Sequence, residues 1–527
     1  MFYTFNKNII LSLFSVFFCL FASAQTYYIG GIGDEYMRIL QLQGKIDPNI
    51  SFTSRPNFAT DQIPQDSLYR MIDSTYHSLG YYKSKFASFK PLLLNVNSQY
   101  NSMHPYGWND AGMIKAKGIQ TLTRWGIYSN IGPISVQYMP EYVNAENAPY
   151  DISSDYGTIP TKRYEQRYLG QSSIRLNIKS ISLGWSTENL WWGPGQYSAA
   201  LLSNNAPGFP HFTFNTTRPI KTSIGSFEWQ IITGRLYQDT SMPFEILNLQ
   251  KTGAWYNSKI YNGINLTFQP KIFKGLFFGV NRSFQYTETN ESRIGQTFSQ
   301  KFLPVFTSIF KSSLGSTQED AIPRDQAISL FTRWLFPKTH TEFYLEYGWN
   351  DHSENFRDFW IDPNHAAIYL LGIKHLVPLE KKKWLEINSE ITQTAQSADY
   401  ITRDAGDWYI YENGGYTNHN QILGAGSGKG NNVQNLSLQL INGFSKLGFL
   451  IQRIQHQPIT SFRHYDIETL GLRNYRWVDV SVGFNYQKKV QNLIVNSRVE
   501  FVNSGNYAWT KNSHFNLFAQ LNLTYLW

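Results

Sequence analysis

The sequence feature that most constrains the fold is the alternation of apolar and polar residues over the last stretch of the chain, 515–527. Every second position there is apolar, namely Phe515, Leu517, Ala519, Leu521, Leu523, Tyr525 and Trp527. A period of two places these side chains on one face of a β-strand and the mostly polar remainder on the other. Strands of about 9–11 residues with this pattern and interfacial aromatics are typical of outer-membrane barrels. The stretch therefore predicts the closing strand of a transmembrane β-barrel, with a soluble antiparallel sandwich or barrel as the alternative.

The same alternation recurs upstream, which favours the membrane interpretation. It is clearest at 261–270, 477–487 and 492–502. In the last of these, Arg498 and Glu500 lie opposite an apolar face. Charged groups are costly on a lipid-facing surface, so they indicate a wet or plugged lumen.

The connections alternate in length as the strands do in polarity. Short links are predicted at 129–132, 270–275, 337–340, 379–383, 443–446 and 488–491, with long polar links between these pairs. Short periplasmic turns and long extracellular loops are the pattern of outer-membrane barrels. The chain is therefore predicted to be all-β and transmembrane, a closed antiparallel barrel of about 18 strands over 91–527. That count requires two strands within 171–186 and another at 211–217.

The first 90 residues differ from the rest. Residues 1–24 have the features of a signal peptide for the general secretory route, with a basic Lys7, an apolar core and predicted cleavage after Ala24. Cleavage would remove Cys19, the sole cysteine, and with it any thiol chemistry. Residues 25–90 are predicted to form a periplasmic helical or plug segment with helices at 34–43 and 65–79. A loosely attached N-terminal extension is the alternative.

Composition limits the partners. Charged residues make up only 16% of the chain, below the usual quarter of a soluble protein. The net charge of +8 favours an acidic polysaccharide or lipid phosphates, although Lys-rich turns also explain it. Nucleic acid is not indicated. A closed barrel has no free strand edge, so a monomer is predicted.

One segment resembles a known family. It contains Trp191-Trp192-Gly193-Pro194-Gly195 followed by Leu201-Leu202-Ser203-Asn204-Asn205-Ala206-Pro207, and it is similar to the most recognisable segment of the capsule assembly Wzi family. Weaker resemblances cover Gly33-Asp34 with Met37-Arg38, and 261–269 with Gly279 and Arg282. Together they extend over most of the chain, but only the Trp-Trp segment is specific.

The resemblance implies a barrel of about 18 strands with a helical element at its periplasmic end. It also implies a non-enzymatic outer-membrane lectin that anchors capsular or other exopolysaccharide at the cell surface and supports capsule assembly. The partners would then be this polymer and outer-membrane lipid, without a cofactor. A porin-like diffusion channel is the alternative, and two candidate plugs, 25–90 and 187–210, argue against it.

Two sets of site residues follow. Indole faces stack on sugars and Asn amides bind hydroxyls, but the motif lies close to the strands. A structural role is therefore favoured for Trp191, Trp192, Gly193, Pro194, Gly195, Ser203, Asn204 and Asn205. The polymer is expected to contact the extracellular loops at the outer rim of the barrel. The candidate contacts there are Trp360, Trp408, Tyr409, Tyr411, Tyr416 and Trp509. Each of these could instead belong to the interfacial aromatic girdle.

Catalysis and metal binding are not predicted. His419 and Ser427 lie in a Gly-rich loop without the strand–turn–helix context of a serine hydrolase. The run 424–430 lacks the spacing of a phosphate-binding loop. Acidic and histidine residues at 351–354 and 362–365 show no fixed ligand spacing, so a solvated loop is the favoured interpretation.

Overall fold

The structure is a computed structural model of the chain. It describes residues 25–58, 82–84, 87–153, 157–159, 161–238, 258–287, 301–306, 324–350, 360, 367–395, 408–409, 415–428, 430–456 and 475–526. Within these ranges, none of the helices has the length and apolar character needed to span a bilayer. The signal-peptide prediction for 1–24 and the helix prediction for 65–79 lie outside them.

The N-terminal part contains the helix α1 (Ile32–Leu42), which overlaps the helix expected over 34–43. Asp34 and Glu35 lie in its first turn, where negative charge interacts favourably with the helix dipole. Four short strands accompany the helix: β1 (Thr26–Tyr27), β2 (Ser54–Arg55), β3 (Asn57–Phe58) and β4 (Tyr82–Lys83).

The regular secondary structure of the remaining described chain is almost entirely strand. Its first half contains β5 (Ala87–Pro91), β6 (Leu94–Asn101), β7 (Gly118–Arg124), β8 (Ile127–Ile131), β9 (Ile134–Tyr138), β10 (Glu141–Ala145), β11 (Tyr150–Ser153), β12 (Gly157–Ile159), β13 (Tyr164–Tyr168), β14 (Ser173–Ile178), β15 (Ile181–Ser186), β16 (Trp191–Trp192), β17 (His211–Thr216), β18 (Ile220–Lys221) and β19 (Gly225–Tyr237).

The second half has longer strands. They are β20 (Ser258–Pro270), β21 (Leu276–Thr287), β22 (Asp325–Phe336), β23 (Thr341–Asn350), β24 (Ala367–Pro378), β25 (Lys383–Gln393), β26 (Thr417–Asn418), β27 (Gln421–Ile422), β28 (Asn432–Asn442), β29 (Ser445–Gln455), β30 (Val478–Val490), β31 (Leu493–Gly505) and β32 (His514–Tyr525). Short 3₁₀ turns occur at Pro304–Phe306, Glu380–Lys382 and Tyr507–Trp509.

Most of these strands form one antiparallel sheet. From β19 to β25 each strand pairs with the next, β25 pairs with β28, and consecutive pairing continues to β32. The terminal strand β32 also pairs antiparallel with β6, so that Leu523 lies opposite Val96 and Phe518 opposite Asn101. In the first half, β6 and β5 pair with β7 and β8 respectively.

Several expected elements are confirmed. Strands are present at 261–270, 477–487 and 492–502, with ends extended or shifted by a few residues. The strands expected within 171–186 and 211–217 are β14, β15 and β17. The short links join antiparallel neighbours, as between β20 and β21 and between β28 and β29. The local alternation of polarity is therefore sufficient to locate these strands.

The polar face of the sheet is buried and its apolar face is exposed, which is the reverse of the arrangement in a soluble protein. On β20, the polar side chains of Asn265, Thr267 and Gln269 are buried, whereas Ile264 and Leu266 on the opposite face are partly exposed. The same holds on β32, where Asn516 is fully buried and Phe515 is 60% exposed. Burial of the polar face requires that the space inside the sheet be filled by other parts of the chain.

Helix α1 lies at the end of the sheet that carries the short turns. Ile39 and Leu42 pack with Leu335, Leu376 and Ile441. On the neighbouring side of the helix, the hydroxyl of Tyr36 donates to the carbonyl of Phe444 (2.8 Å), and the two rings stack. Both contacts join the helix to the turns at this end.

Candidate functional site

The Trp-Trp motif forms a short strand inside the sheet. Trp191 and Trp192 pair antiparallel with Arg55 and Ser54 of β2. Trp192 is fully buried, and its indole N–H donates to Gln230 Oε1 on β19 (2.7 Å). Its ring passes so close to Gly263 that a Cβ there would lie 2.6 Å from it. Absence of a side chain at Gly263 therefore makes room for the indole.

The Gly-Pro-Gly turn that follows is held by charged residues. Gly193 has φ +113°, a conformation that only glycine adopts readily. The Pro194 carbonyl accepts from Arg38 of α1 (2.7 Å), and the Gly195 carbonyl accepts from Arg55 (3.2 Å). The positive side chains of the N-terminal segment thus satisfy the carbonyls of this turn.

Carboxylates on the sheet accept hydrogen bonds from backbone N–H groups of the same segment. The Gln196 backbone N–H donates to Glu390 on β25 (2.7 Å), and the Ala200 N–H donates to Glu346 on β23 (3.3 Å). Both glutamates are fully buried. Buried charges persist only when hydrogen bonds or ion pairs compensate for lost hydration. These contacts hold the motif segment against the strands of the sheet.

Some buried ion pairs join the N-terminal segment to the sheet, and another lies within the segment itself. Glu342 on β23 binds two guanidinium groups, Arg38 of α1 (2.8 Å) and Arg333 of β22. Within the segment, Arg55 pairs with Asp34 (3.1 Å) and lies 4.3 Å from the Trp191 ring centroid. Burial lowers the pKa of the Arg55 guanidinium, and the Asp34 carboxylate opposes that shift.

The Ser-Asn-Asn part of the motif binds backbone groups of two other loops. Asn204 donates to the carbonyl of Asn109 (2.9 Å), and Asn205 donates to that of Ile422 (2.9 Å). Ser203 donates to the carbonyl of Gly424. The loops around 104–116 and 415–428 therefore fold against the motif. These amides are engaged in internal contacts, which supports the structural role predicted for them.

Three of the predicted polymer contacts lie in this interior. Trp408, Tyr409 and Tyr416 are at most 5% exposed and pack in one apolar cluster with Trp192 and Leu201. Burial raises the pKa of the Tyr409 hydroxyl, which donates to the carbonyl of Ala200 (2.8 Å). Little of these rings is available to a polymer, and their binding role stays a prediction.

The other predicted contacts are dispersed. Trp509 is buried and packs edge-to-face against Trp477 at 5.2 Å. Trp360 is 74% exposed, and Tyr411 lies outside the described residues. The structure brings Trp408, Tyr409 and Tyr416 together but places Trp509 in a separate cluster.

The residues compared with a hydrolase have packing contacts. The ring of His419 packs edge-to-face on Tyr168 at 5.2 Å, and its backbone N–H donates to the carbonyl of Tyr237 (2.7 Å). Ser427 is buried, and its carbonyl accepts from Asn431. The acidic and histidine residues at 351–354 and 362–365 lie outside the described residues.

Sequence analysis missed the buried charges that hold the interior together. Arg55, Arg333, Glu342 and Glu390 were not singled out, and Arg38 was named only for its weaker family resemblance, without a partner. A usable signal was present for the glutamates, because Glu342 and Glu346 both lie on the polar face of a strand whose other face contains Phe343 and Leu345. For the arginines of the N-terminal segment, nothing local indicated a partner.

These features define a class of protein. An antiparallel sheet with an apolar outer face and a polar, filled inner face is the arrangement of outer-membrane β proteins. A family model described as "Capsule assembly protein Wzi" matches residues 101–507, and the chain belongs to this family.

Comparison with solved structures agrees on the fold. The chain is similar to Wzi of Escherichia coli, described as an outer membrane protein involved in group 1 capsule assembly and a carbohydrate binding beta-barrel. The two are 13% identical with a TM-score of 0.61, over 96% of this chain and 100% of that one.

Weaker likenesses include OprB of Pseudomonas putida (10% identity, TM-score 0.39, covering 84% of this chain and 94% of that one). OccAB2 of Acinetobacter baumannii is 9% identical with a TM-score of 0.41, over 82% and 97% of the two chains. No curated protein matches the sequence.

Proposed function

We propose that this protein is a non-enzymatic outer-membrane lectin that anchors capsular or other exopolysaccharide at the cell surface and supports capsule assembly. The observation that carries the proposal is the match to the Wzi family over 101–507. The carbohydrate-binding barrel of E. coli Wzi, similar in fold along nearly the whole chain, supports the same function.

The proposal includes a closed barrel of about 18 strands that acts as a monomer in the outer membrane. Pairing of the terminal strand β32 with β6 supports closure, and a closed sheet offers no edge to a second chain. Apolar side chains on the outer face, such as Leu371, Leu345 and Phe484, are 46–53% exposed, as expected of a surface in contact with lipid. Cleavage of the signal peptide after Ala24 completes the proposed route.

The filled interior favours a lectin over a diffusion channel. The N-terminal segment, the Trp-Trp motif and the loop around 415–428 contact one another and the wall inside the sheet. A porin needs a continuous aqueous path, whereas a protein that holds a polymer at its outer rim does not. The segment 25–90 is proposed to act as the periplasmic plug.

Deletion of the gene is expected to release polymer into the medium while the total amount synthesised stays unchanged, because the proposed protein retains polymer and does not make it. The measurement is polysaccharide in the cell and medium fractions, with the restored gene as control. Polymer that stays attached to the deletion strain would contradict the proposal.

Replacement of Trp360 by Ala is expected to weaken polymer binding severalfold, because an exposed indole loses a stacking surface for sugar rings. The measurement is retention of the purified protein on immobilised polymer. Trp334→Ala is the matched control, since this tryptophan is 44% exposed on the outer face of β22. Equal binding by both variants would exclude Trp360 as a contact.

A further inference from the structure

The first residues after the predicted cleavage site lie inside the sheet. The strand β1 pairs antiparallel with β3. The Thr26 backbone N–H donates to Gln137 Oε1 of β9 (3.2 Å), and the Thr26 hydroxyl donates to Glu188. Terminal residues of most domains are poorly ordered unless they are tied down. These contacts therefore fix the chain start that cleavage after Ala24 would create.

Gln25 is the residue that would become the N-terminus. It is buried, and it borders a cavity of about 30 Å³ together with Leu92, Leu93 and Met139. Its side-chain amide has no hydrogen-bond partner among the residues that the structure describes. The carbonyl carbon of this amide is therefore available to a nucleophile within the same residue, and the α-amine is such a group.

The charges around this position already have partners. Glu188 pairs with Arg175 (2.5 Å), and Glu141 pairs with Arg124 (3.5 Å). The Arg124 guanidinium also lies 4.5 Å from the ring centroid of Tyr28. An α-amine is mostly protonated at neutral pH, so a free N-terminus would add a positive charge where both carboxylates already have guanidinium partners. A buried charge without a counter-charge is costly.

We propose that the mature N-terminus is a pyroglutamate formed from Gln25. The α-amine nitrogen attacks the side-chain carbonyl carbon of the same residue and closes a five-membered lactam. The former amide nitrogen leaves with one amine proton as ammonia, so that neither an oxidant nor a second reactant is required. The proposal rests on the cleavage after Ala24 given under the proposed function. Because the lactam is neutral, no ammonium group has to be buried.

The lactam secures the start of the N-terminal segment. Ring closure precedes the docking of β1, because Gln25 is buried once the segment is in place. The neutral ring then lies against the apolar side chains of Leu92 and Met139. Closure also removes the free amine that aminopeptidases recognise, so the modified end resists trimming before the segment has docked.

The test uses the full mature chain purified from the outer membrane of its own host. Mass spectrometry of the N-terminal peptide is expected to show a start at residue 25 and a mass lower by one ammonia than that of the unmodified peptide. Pyroglutamyl peptidase is expected to remove the ring only after the protein is unfolded, because the folded chain buries it. A synthetic peptide of residues 25–34 taken through the same steps reveals any ring formed during handling.

Gln25→Asn separates the effect of the ring from that of the side-chain amide. This variant keeps a neutral amide, but the same attack would close a strained four-membered ring, so the α-amine stays free. Limited proteolysis is expected to cut the N-terminal segment of this variant severalfold faster than that of the unaltered protein. Gln43→Asn is the matched control, since it shortens the glutamine at the C-cap of α1 without affecting the α-amine.

An uncyclised Gln25, or equal conversion of the synthetic peptide, would overturn the proposal. Removal of the ring at the same rate before and after unfolding, or equal proteolysis of the two variants, would overturn the role of the ring in securing the segment. A mature chain that begins at another residue would overturn the proposal together with the predicted cleavage site. Polymer retention is measured separately in the deletion strain, so failure of the modification leaves the lectin function standing.

Discussion

Replacement of Glu342 by Leu is expected to lower the free energy of unfolding by about 3–5 kcal/mol. Glu342 is fully buried on β23 and is the shared partner of Arg38 and Arg333, which are also buried. Removal of the carboxylate leaves two guanidinium groups in a poorly hydrated interior without their main counter-charge. The cost comes chiefly from these uncompensated charges. Chemical denaturation in detergent measures the change.

The variant should also release the N-terminal segment, because Arg38 belongs to α1 and Arg333 binds the Ser51 carbonyl (2.8 Å). Limited proteolysis is expected to cut near this segment faster than in the unaltered protein. Glu165→Gln is the control, since Glu165 is an exposed carboxylate on β13, and surface substitutions usually change stability by less than about 0.5 kcal/mol. Similar behaviour of both variants would show that the ion pairs do not hold the segment.

Replacement of Trp192 by Ala is expected to cost about 3–5 kcal/mol of stability, as is typical for truncation of a large buried aromatic side chain. The indole is fully buried, packs with Leu201 and Tyr261, and donates a hydrogen bond to Gln230. Its loss creates a cavity. The side-chain Oε1 of Gln230 then keeps only its hydrogen bond from the Ser54 hydroxyl, at 3.3 Å. The measurement is again chemical denaturation in detergent.

The same variant tests whether the interior blocks a channel. Looser packing of the motif segment is expected to raise conductance in planar bilayers above the low value expected of the unaltered protein. Trp125→Ala is the control, because Trp125 is 49% exposed between β7 and β8 and contributes little to the interior. A high, steady conductance of the unaltered protein would instead favour the porin-like alternative.

Sequence reasoning located the strands well because their signal is local. Each spanning stretch meets lipid on one side and the interior on the other, so its residues alternate with a period of two. Positions such as Ile264 and Asn265 carry that information directly. The strands β20, β30 and β31 were therefore found to within a few residues.

The surroundings of the candidate site residues could not be predicted from the sequence as well as the strands could. Trp360 and Trp408 are both aromatic residues in long polar links and look equivalent in sequence, yet one is 74% exposed and the other 2%. Their difference arises because the chain around 408–428 folds back onto Leu201 and Ala200. Such folding depends on contacts between residues about two hundred positions apart, and a local sequence pattern does not predict contacts of this kind.

The sequence by itself determined where the chain forms strands, which face of each is apolar, and that a Trp-Trp-Gly-Pro-Gly segment sets this family apart. These properties follow from the geometry of a single strand and from short motifs. Only the tertiary structure decided what fills the space inside the sheet and which charges hold it there. Arg38 meets Glu342, and Trp192 meets Gly263, because the fold brings them together. Burial and ion pairing between distant residues depend on the complete packing of the chain, whereas strand polarity depends only on the nearest neighbours.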